Sequence, residues 1–111
     1  MRKIYSITLC LGILILSPLA KAGAGWTEYA PVAELVPTAR HYYEVMFSVK
    51  DSPSGCKAKK WFYQDYGSPG SDKMFQTILE ALMSGKWVRV HVTGKCNLNG
   101  YSEISAVSVI P

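Results

Sequence analysis

The stretch that decides the fold is residues 71–93, which read SDKMFQTILEALMSGKWVRVHVT. Its first part has apolar residues at the spacing of one face of an α-helix, namely Met74, Phe75, Ile78, Leu79, Leu82 and Met83. Ser71 or Asp72 is expected to cap this helix, which we predict over residues 72–84. Gly85 suits the left-handed turn that commonly ends a helix. The pattern therefore predicts one amphipathic helix of three to four turns.

Strands are predicted on both sides of this helix. After it, three valines alternate with Trp87, Arg89, His91 and Thr93, as in a strand with one buried face. Before it, aromatic and β-branched residues alternate across residues 42–49. Turn-forming residues separate the segments. The predicted strands are 31–36, 42–49, 57–66, 87–93 and 101–110, with a β-bulge near Ala106 and Val107 in the last one.

The order of these elements is three strands, one helix and two strands. Short strands expose their edges unless the sheet closes on itself. We therefore expect a fold between the all-β and α+β classes, a small five-stranded barrel of the oligonucleotide/oligosaccharide-binding (OB) type. Its single helix would lie between strands 3 and 4. A helix laid across an open antiparallel sheet is the alternative.

The first 22 residues differ in character from the rest of the chain. Two basic residues precede an apolar run over residues 4–16, and the segment ends in AKA at residues 20–22. This arrangement is typical of a secretory signal peptide, and the run is shorter than the roughly 20 residues that cross a membrane. We expect a single domain over residues 23–111, exported to the periplasm or the medium. Cleavage is expected after Ala22, with Ala24 as the alternative.

Removing this segment changes the charge and the cysteine count. The 12 basic residues of the chain fall to nine without Arg2, Lys3 and Lys21, against eight acidic residues. A nucleic-acid partner is not expected, because binding to phosphates needs many uncompensated Lys and Arg side chains. Cys56 and Cys96 remain. In an oxidising compartment they favour one disulfide bond, and two buried free thiols are the alternative.

The sequence carries no recognisable catalytic or metal-binding motif. HExxH, CxxC and GxSxG are all absent, and neither His41 nor His91 stands at a metal-ligand spacing. His91 alternates with valines in a predicted strand and is expected to face solvent or a partner. We therefore expect a protein that is not an enzyme and that uses no cofactor or metal.

Residue types suited to a sugar site cluster near the second cysteine. Sugars present apolar ring faces and hydroxyl groups, so their sites combine aromatic rings with amides and carboxylates. The candidate ligand-binding residues are Asn97, Asn99, Tyr101, Glu103 and Tyr66. The two asparagines are also ordinary turn residues. Trp61 is expected in the core rather than at a binding surface.

Residues 72–110 resemble the C-terminal half of bacterial toxin B subunits of the cholera-toxin, heat-labile-enterotoxin and subtilase-cytotoxin type. The shared order is an amphipathic helix, a hydrophobic strand, a cysteine (Cys96), an Asn-containing turn (residues 97–99) and a terminal strand (residues 103–109). The resemblance implies an exported, ring-forming and pentameric binding subunit that recognises glycans or a protein partner. The first cysteine departs from the enterotoxin pattern, in which it lies near the mature N-terminus. No Trp follows Cys96 either, so the sugar specificity is not carried over.

In rings of that type the helices surround a central pore. The helix residues expected at the pore or between neighbouring helices are Lys73, Gln76, Thr77 and Glu80. The alternative is a monomer whose polar helix face meets water. Such a monomer would act as an exported inhibitor or adaptor, which blocks another protein through a loop.

Overall fold

The computed structural model describes residues 23–111, in which six β-strands and one α-helix are found. Its strands are β1 (Gly25–Trp26), β2 (Ala30–Pro37), β3 (Tyr42–Phe47), β4 (Trp61–Asp65), β5 (Trp87–Cys96) and β6 (Ser102–Ile110). The helix α1 (Ser71–Ser84) lies between β4 and β5 in the chain. The predicted signal peptide, residues 1–22, lies outside the described residues. None of the helical structure in residues 23–111 is long and apolar enough for a membrane crossing.

The prediction of five strands is corrected to six, because β1 precedes β2 along the same edge of β5. β1 pairs with β5 around Val92, and β2 pairs with it around Val88. Between these contacts, the backbone N–H of Thr27 donates to the carbonyl oxygen of Val90 at 2.9 Å. The Thr27 hydroxyl in turn accepts the N–H of Val90 at 3.1 Å. The Thr27 side chain thus continues the hydrogen-bond ladder with β5 where the backbone leaves it. The first strand has only two residues and is too short to show an alternating pattern in the sequence.

The pairings of the other five strands form a closed circuit. β2 pairs with β3, β3 with β4, β4 with β6, β6 with β5, and β5 with β2. All of these contacts are antiparallel except β4 with β6, which extends over only two residue pairs. The circuit encloses the apolar core, and α1 packs mainly against β2 and β6.

The core confirms the alternation expected from sequence. The inward-facing residues of β3 and β5, together with Val49 just after β3, are at most 1% exposed. They are Tyr43, Val45, Phe47, Val49, Val88, Val90 and Val92. The helix contributes buried Ile78 and Ala81. Met83, predicted on the apolar stripe, is instead 78% exposed, because it lies beyond the edge of the face that meets the core.

The predicted C-cap of α1 is confirmed, whereas its predicted N-cap is not. Gly85 has φ 70° and forms the expected left-handed C-cap. At the other end, the prediction of Ser71 or Asp72 as the cap is wrong, since Gly70 occupies that position with φ 76° and without a side-chain cap bond. The tight turn into the helix requires a glycine there. Ser71 consequently falls in the first turn and is buried against the domain.

Two strand boundaries and the bulge depend on tertiary contacts. β4 begins at Trp61 rather than at residue 57, because the preceding lysines belong to a loop held by the disulfide. β5 continues to Cys96, beyond the predicted end. The bulge in β6 is confirmed near Ala106: His91 pairs with Ala106 and Val92 with Ile104, so one residue between them has no partner.

Candidate functional site

A cleft of about 340 Å³ opens on the outer side of the sheet, where three separate parts of the chain meet. We call it the tyrosine cleft; it is lined by His41, Tyr42, Tyr63, Asp65, Lys95, Cys96, Asn97 and Leu98. The start of β3 and the end of β4 contribute one wall, and the β5–β6 connection contributes the other. Cross-strand pairing of Tyr42 with Asp65 brings the first two segments together.

Aromatic rings form the apolar part of the tyrosine cleft. Tyr42 packs edge-on against Tyr63, with ring centroids 6.2 Å apart. Tyr63 points to the outer side of β4 and is nevertheless only 4% exposed. Burial, followed by the nearby carboxylates of Glu103 and Asp65, raises the pKa of Tyr63 to about 12. Its phenol therefore keeps its proton at neutral pH and can donate a hydrogen bond.

Charged groups stand at the rim of the tyrosine cleft. His41 Nε2 lies 3.8 Å from Asp65 Oδ1, and the two side chains are 81% and 40% exposed. A contact this open to water adds little stability, so both groups remain available to a ligand. Lys95 places an exposed ammonium group on the opposite wall.

The β5–β6 connection is shaped by its own hydrogen bonds. Asn97 Oδ1 accepts the backbone N–H groups of Asn99 and Tyr101, both at 3.0 Å. The amide nitrogen of Asn97 is thereby left as the group that can face a ligand. Gly100 has φ 81°, and a Cβ at this position would come within 2.7 Å of the Lys57 Cβ. The connection therefore requires glycine at residue 100, both for its φ and for its close approach to the neighbouring loop.

The disulfide between Cys56 and Cys96 confirms the predicted pairing, with the two Cα atoms 5.7 Å apart. It fastens the β5–β6 connection to the loop before β4. Buried hydroxyl groups support the same region: Ser54 Oγ lies 2.6 Å from Ser102 Oγ and 3.0 Å from Ser52 Oγ. These bonds satisfy polar groups that would be costly to bury alone, and they hold one wall of the tyrosine cleft in place.

Two of the five predicted ligand-binding residues lie at or beside the tyrosine cleft. Asn97 lines it, and Asn99 lines an adjoining depression of about 270 Å³ that Arg40 and Tyr42 also border. Tyr66 is outside the lining. Its hydroxyl is bonded to the backbone N–H and carbonyl oxygen of one residue, Thr38, at 2.9 Å each, so it fastens the β2–β3 turn.

The remaining two candidates make other contacts. The ring of Tyr101 stacks on Trp61, with centroids 5.4 Å apart and planes inclined by 16°. Trp61 is thus half-buried on the outer surface, and the expectation that it belongs to the core is wrong. Glu103 accepts a hydrogen bond from the Thr93 hydroxyl at 2.9 Å and borders a separate pocket beside Gln64.

Sequence reasoning missed Tyr42, Asp65 and Lys95 as members of one site. The alternation of β3 does place Tyr42 on the outward side, which is a usable signal. That Tyr42 lies opposite Asp65, however, depends on the register of β3 with β4. The position of Lys95 depends on the disulfide, which ties the neighbouring Cys96 to the loop before β4. Neither relation appears as a pattern in the local sequence.

The predicted pore residues lie on α1, and none of them lines the tyrosine cleft. Lys73, Gln76 and Glu80 are exposed. Thr77 is half-buried, and its hydroxyl donates to the carbonyl oxygen of Lys73 at 2.8 Å. Three of the four predicted residues are therefore exposed and able to contact another molecule.

Within residues 23–111, no three His, Cys, Asp or Glu side chains are grouped so that they could hold a metal ion. Comparison with protein-family models and with curated protein sequences finds no match to this chain. The physical features of the tyrosine cleft are therefore the basis for assigning a function.

Raising the pH above 10 is expected to destabilise the fold through Tyr63. Its pKa is about 12 in the folded chain against an ordinary value of 10.0, chiefly because the phenol is buried. The raised pKa means that folding favours the neutral form. The stabilisation is therefore complete below pH 10 and is lost as the pH rises from 10 to about 12. Urea unfolding across this window should show a smaller loss for Tyr63→Phe than for the wild type; equal losses would contradict the assignment.

Proposed function

We propose that this protein is an exported, non-catalytic binding subunit that holds a glycan in the tyrosine cleft. The observation that carries the proposal is the composition of the cleft: two tyrosine rings lie beside an amide, a carboxylate and an ammonium group. Sugar rings pack on aromatic faces, and their hydroxyl groups need donors and acceptors at the edge. The volume of about 340 Å³ suits one or two sugar units rather than an extended polymer.

The position of the cleft in the fold supports the same proposal. A closed circuit of five strands, with the helix between the third and the fourth, has the order of an OB-type barrel. In such barrels the face of the second and third strands binds oligosaccharides or oligonucleotides, together with the loops after the first and fourth strands. Here those strands are β3 and β4, which carry Tyr42 and Tyr63. Asp65 at the rim favours a sugar over a phosphate backbone, because it would repel the latter.

Export and assembly belong to the proposal as well. The disulfide fits an oxidising destination such as the periplasm or the medium. Residues 1–22 supply the signal peptide. The subunit assembles as a ring, with a pentamer favoured by the resemblance to toxin B subunits. The exposed side chains of Lys73, Gln76 and Glu80 then face the pore or the neighbouring helices.

One observation favours a second candidate function, that of a monomeric inhibitor or adaptor. Leu98 is fully exposed at the tip of the disulfide-held β5–β6 connection. A rigid loop that presents an apolar side chain is suited to insertion into another protein. Under this alternative, Leu98→Ala would abolish capture of an exported protein, whereas Tyr42→Ala would have little effect.

A glycan array tests the primary function. The chain, expressed in full and purified in oxidised form, is expected to bind a restricted set of glycans. For those glycans, Tyr42→Ala is expected to raise the Kd at least tenfold, about 1.4 kcal/mol, because it removes the more exposed of the two tyrosine rings in the cleft. Isothermal titration calorimetry would measure the change. Met83→Ala is the control, since Met83 is 78% exposed on α1 and lies outside the cleft lining.

Two outcomes would count against the glycan site. One is the absence of any bound glycan on the array while the protein is folded and oxidised. The other is an unchanged Kd for Tyr42→Ala. Capture of an exported protein that Leu98→Ala abolishes and Tyr42→Ala leaves unchanged would shift the assignment to the loop and thus to the second candidate function.

A further inference from the structure

A single arginine stands among aromatic and apolar side chains on the outer side of β5. We call this surface the arginine face; it comprises Trp26, Tyr29, Trp87, Arg89, His91 and Ile110. Cross-strand register places Trp26 beside His91 and Trp87 beside Ile110. Trp26, Trp87 and Ile110 are 41%, 47% and 37% exposed. Trp, Tyr and Arg are the residue types that dominate the binding energy of protein interfaces.

Arg89 is positioned by its aromatic neighbours. Its guanidinium carbon lies 4.6 Å from the ring centroid of Trp26 and 5.0 Å from that of Tyr29. Tyr29 is itself held by a 2.8 Å hydrogen bond between its hydroxyl and Ser108 Oγ. Among the described residues, Arg89 makes no ion pair, and its buried Nε has no hydrogen-bond partner. A stacked guanidinium with free N–H groups is well prepared to bind a carboxylate.

The outer side of β2 and β3 carries the opposite charge. We call it the acidic face; it comprises Glu34, Glu44, Met46, Trp61 and Tyr101. Glu34 is paired across the strands with Met46, which is paired in turn with Trp61. Burial, and then Glu44, Tyr42 and Glu34, raise the pKa of Tyr101, so both carboxylates act on this ring. In residues 23–111 neither Glu34 nor Glu44 makes an ion pair.

We propose that the arginine face of one copy docks on the acidic face of a second copy, with Arg89 opposite Glu34 and Glu44. The two faces are complementary in charge. Within residues 23–111, Arg89 stands among aromatic rings without an ion pair, and Glu34 and Glu44 stand beside the stacked rings without one. The two faces consist of different residues: one is centred on β5, and the other lies on β2, β3 and the start of β4. The contact is therefore head-to-tail, the kind of contact that forms a ring when the rotation between copies closes.

This inference rests on the ring assembly in the proposed function and adds the surface that forms it. Its acidic side borders the tyrosine cleft, because Glu44 is paired across the strands with Tyr63 of the cleft. The cleft begins at Tyr42, whereas Met46, opposite Glu34, lies four residues further along β3, roughly 13 Å away. Docking of a second copy near Glu34 thus borders the cleft rather than filling it.

Charge reversal tests the contact. The full chain would be expressed, purified in oxidised form and measured by native mass spectrometry and analytical ultracentrifugation. The wild type is expected to form rings, and Arg89→Glu or Glu34→Arg is expected to raise the concentration for half assembly at least tenfold. The double variant, with both reversals, should restore assembly because each face again meets its opposite. Lys59→Glu, a reversal at an exposed loop residue outside both faces, is the matched control.

The outcomes separate this inference from the proposed function. A wild-type monomer would overturn both the ring and the interface. Rings that persist in both single variants would overturn the interface alone, and so would single variants that dissociate without rescue in the double variant. Because Arg89→Glu also removes the contacts with Trp26 and Tyr29, thermal unfolding would verify its fold. Glu34→Arg, at an exposed position, tests the same contact without that risk. Loss of glycan binding in assembled rings would count against the cleft only.

Discussion

Removing the disulfide through Cys56→Ala together with Cys96→Ala is expected to lower the free energy of unfolding by roughly 4 kcal/mol. The bond joins cysteines 40 residues apart, so its loss frees a long loop in the unfolded chain. In a domain of this size each 1 kcal/mol shifts the Tm by about 4–8 °C, so a fall of about 15–30 °C is expected. Differential scanning calorimetry would measure both quantities.

The reduced wild type is the control for this experiment, because it loses the bond and keeps both side chains. It should melt close to the double variant. A loss below about 1 kcal/mol would show that the bond hardly restricts the unfolded chain. Glycan binding should weaken in both samples even at temperatures where the domain is folded, since Asn97 and Leu98 line the tyrosine cleft directly after Cys96.

The second large effect is expected for Gln64→Leu, which should lower the free energy of unfolding by about 2–6 kcal/mol. Gln64 is 1% exposed and bridges β4 to β6 beyond their short ladder. Its Nε2 donates to the carbonyl oxygen of Ile104 at 3.0 Å, and its Oε1 accepts the Tyr43 hydroxyl at 2.8 Å. Leucine at this position would leave the Tyr43 hydroxyl and the Ile104 carbonyl buried without their hydrogen-bond partner. Equilibrium unfolding in urea would measure the loss.

Gln76→Leu provides a matched control for this substitution, because Gln76 is exposed on α1. Its effect should stay within about 0.5 kcal/mol. Combining Gln64→Leu with Tyr43→Phe should recover part of the loss, since the second change removes the hydroxyl that was left without an acceptor. A similar loss for Gln64→Leu and Gln76→Leu would contradict the bridging role.

Much of the architecture could be predicted from local sequence. The spacing of apolar residues in 72–84 predicts the helix, and alternation predicts β3 and β5, because each pattern records which side chains are removed from water. The pairing of Cys56 with Cys96 was also predictable, since only two cysteines follow the predicted signal peptide. The bulge near Ala106 appeared as a break in alternation.

The candidate site was less predictable. Asn97 was found because polar turn residues beside a cysteine suggest a binding loop. Tyr101 and Glu103 belong to the same segment, yet one stacks on Trp61 and the other bonds to Thr93. Proximity in sequence suggested one shared site, whereas in the fold Tyr101 contacts β4 and Glu103 contacts β5.

The sequence by itself determined the helix, five of the six strands found in residues 23–111, their order and the disulfide, because these follow from periodicity and from the chemistry of single residues. Only the tertiary structure decided that β5 returns to β2, that Tyr42 pairs with Asp65, and that the β5–β6 connection lies beside Tyr63. The physical reason is register. A strand's pattern records which face is buried, but its partner and the alignment with that partner depend on contacts between residues far apart in the chain.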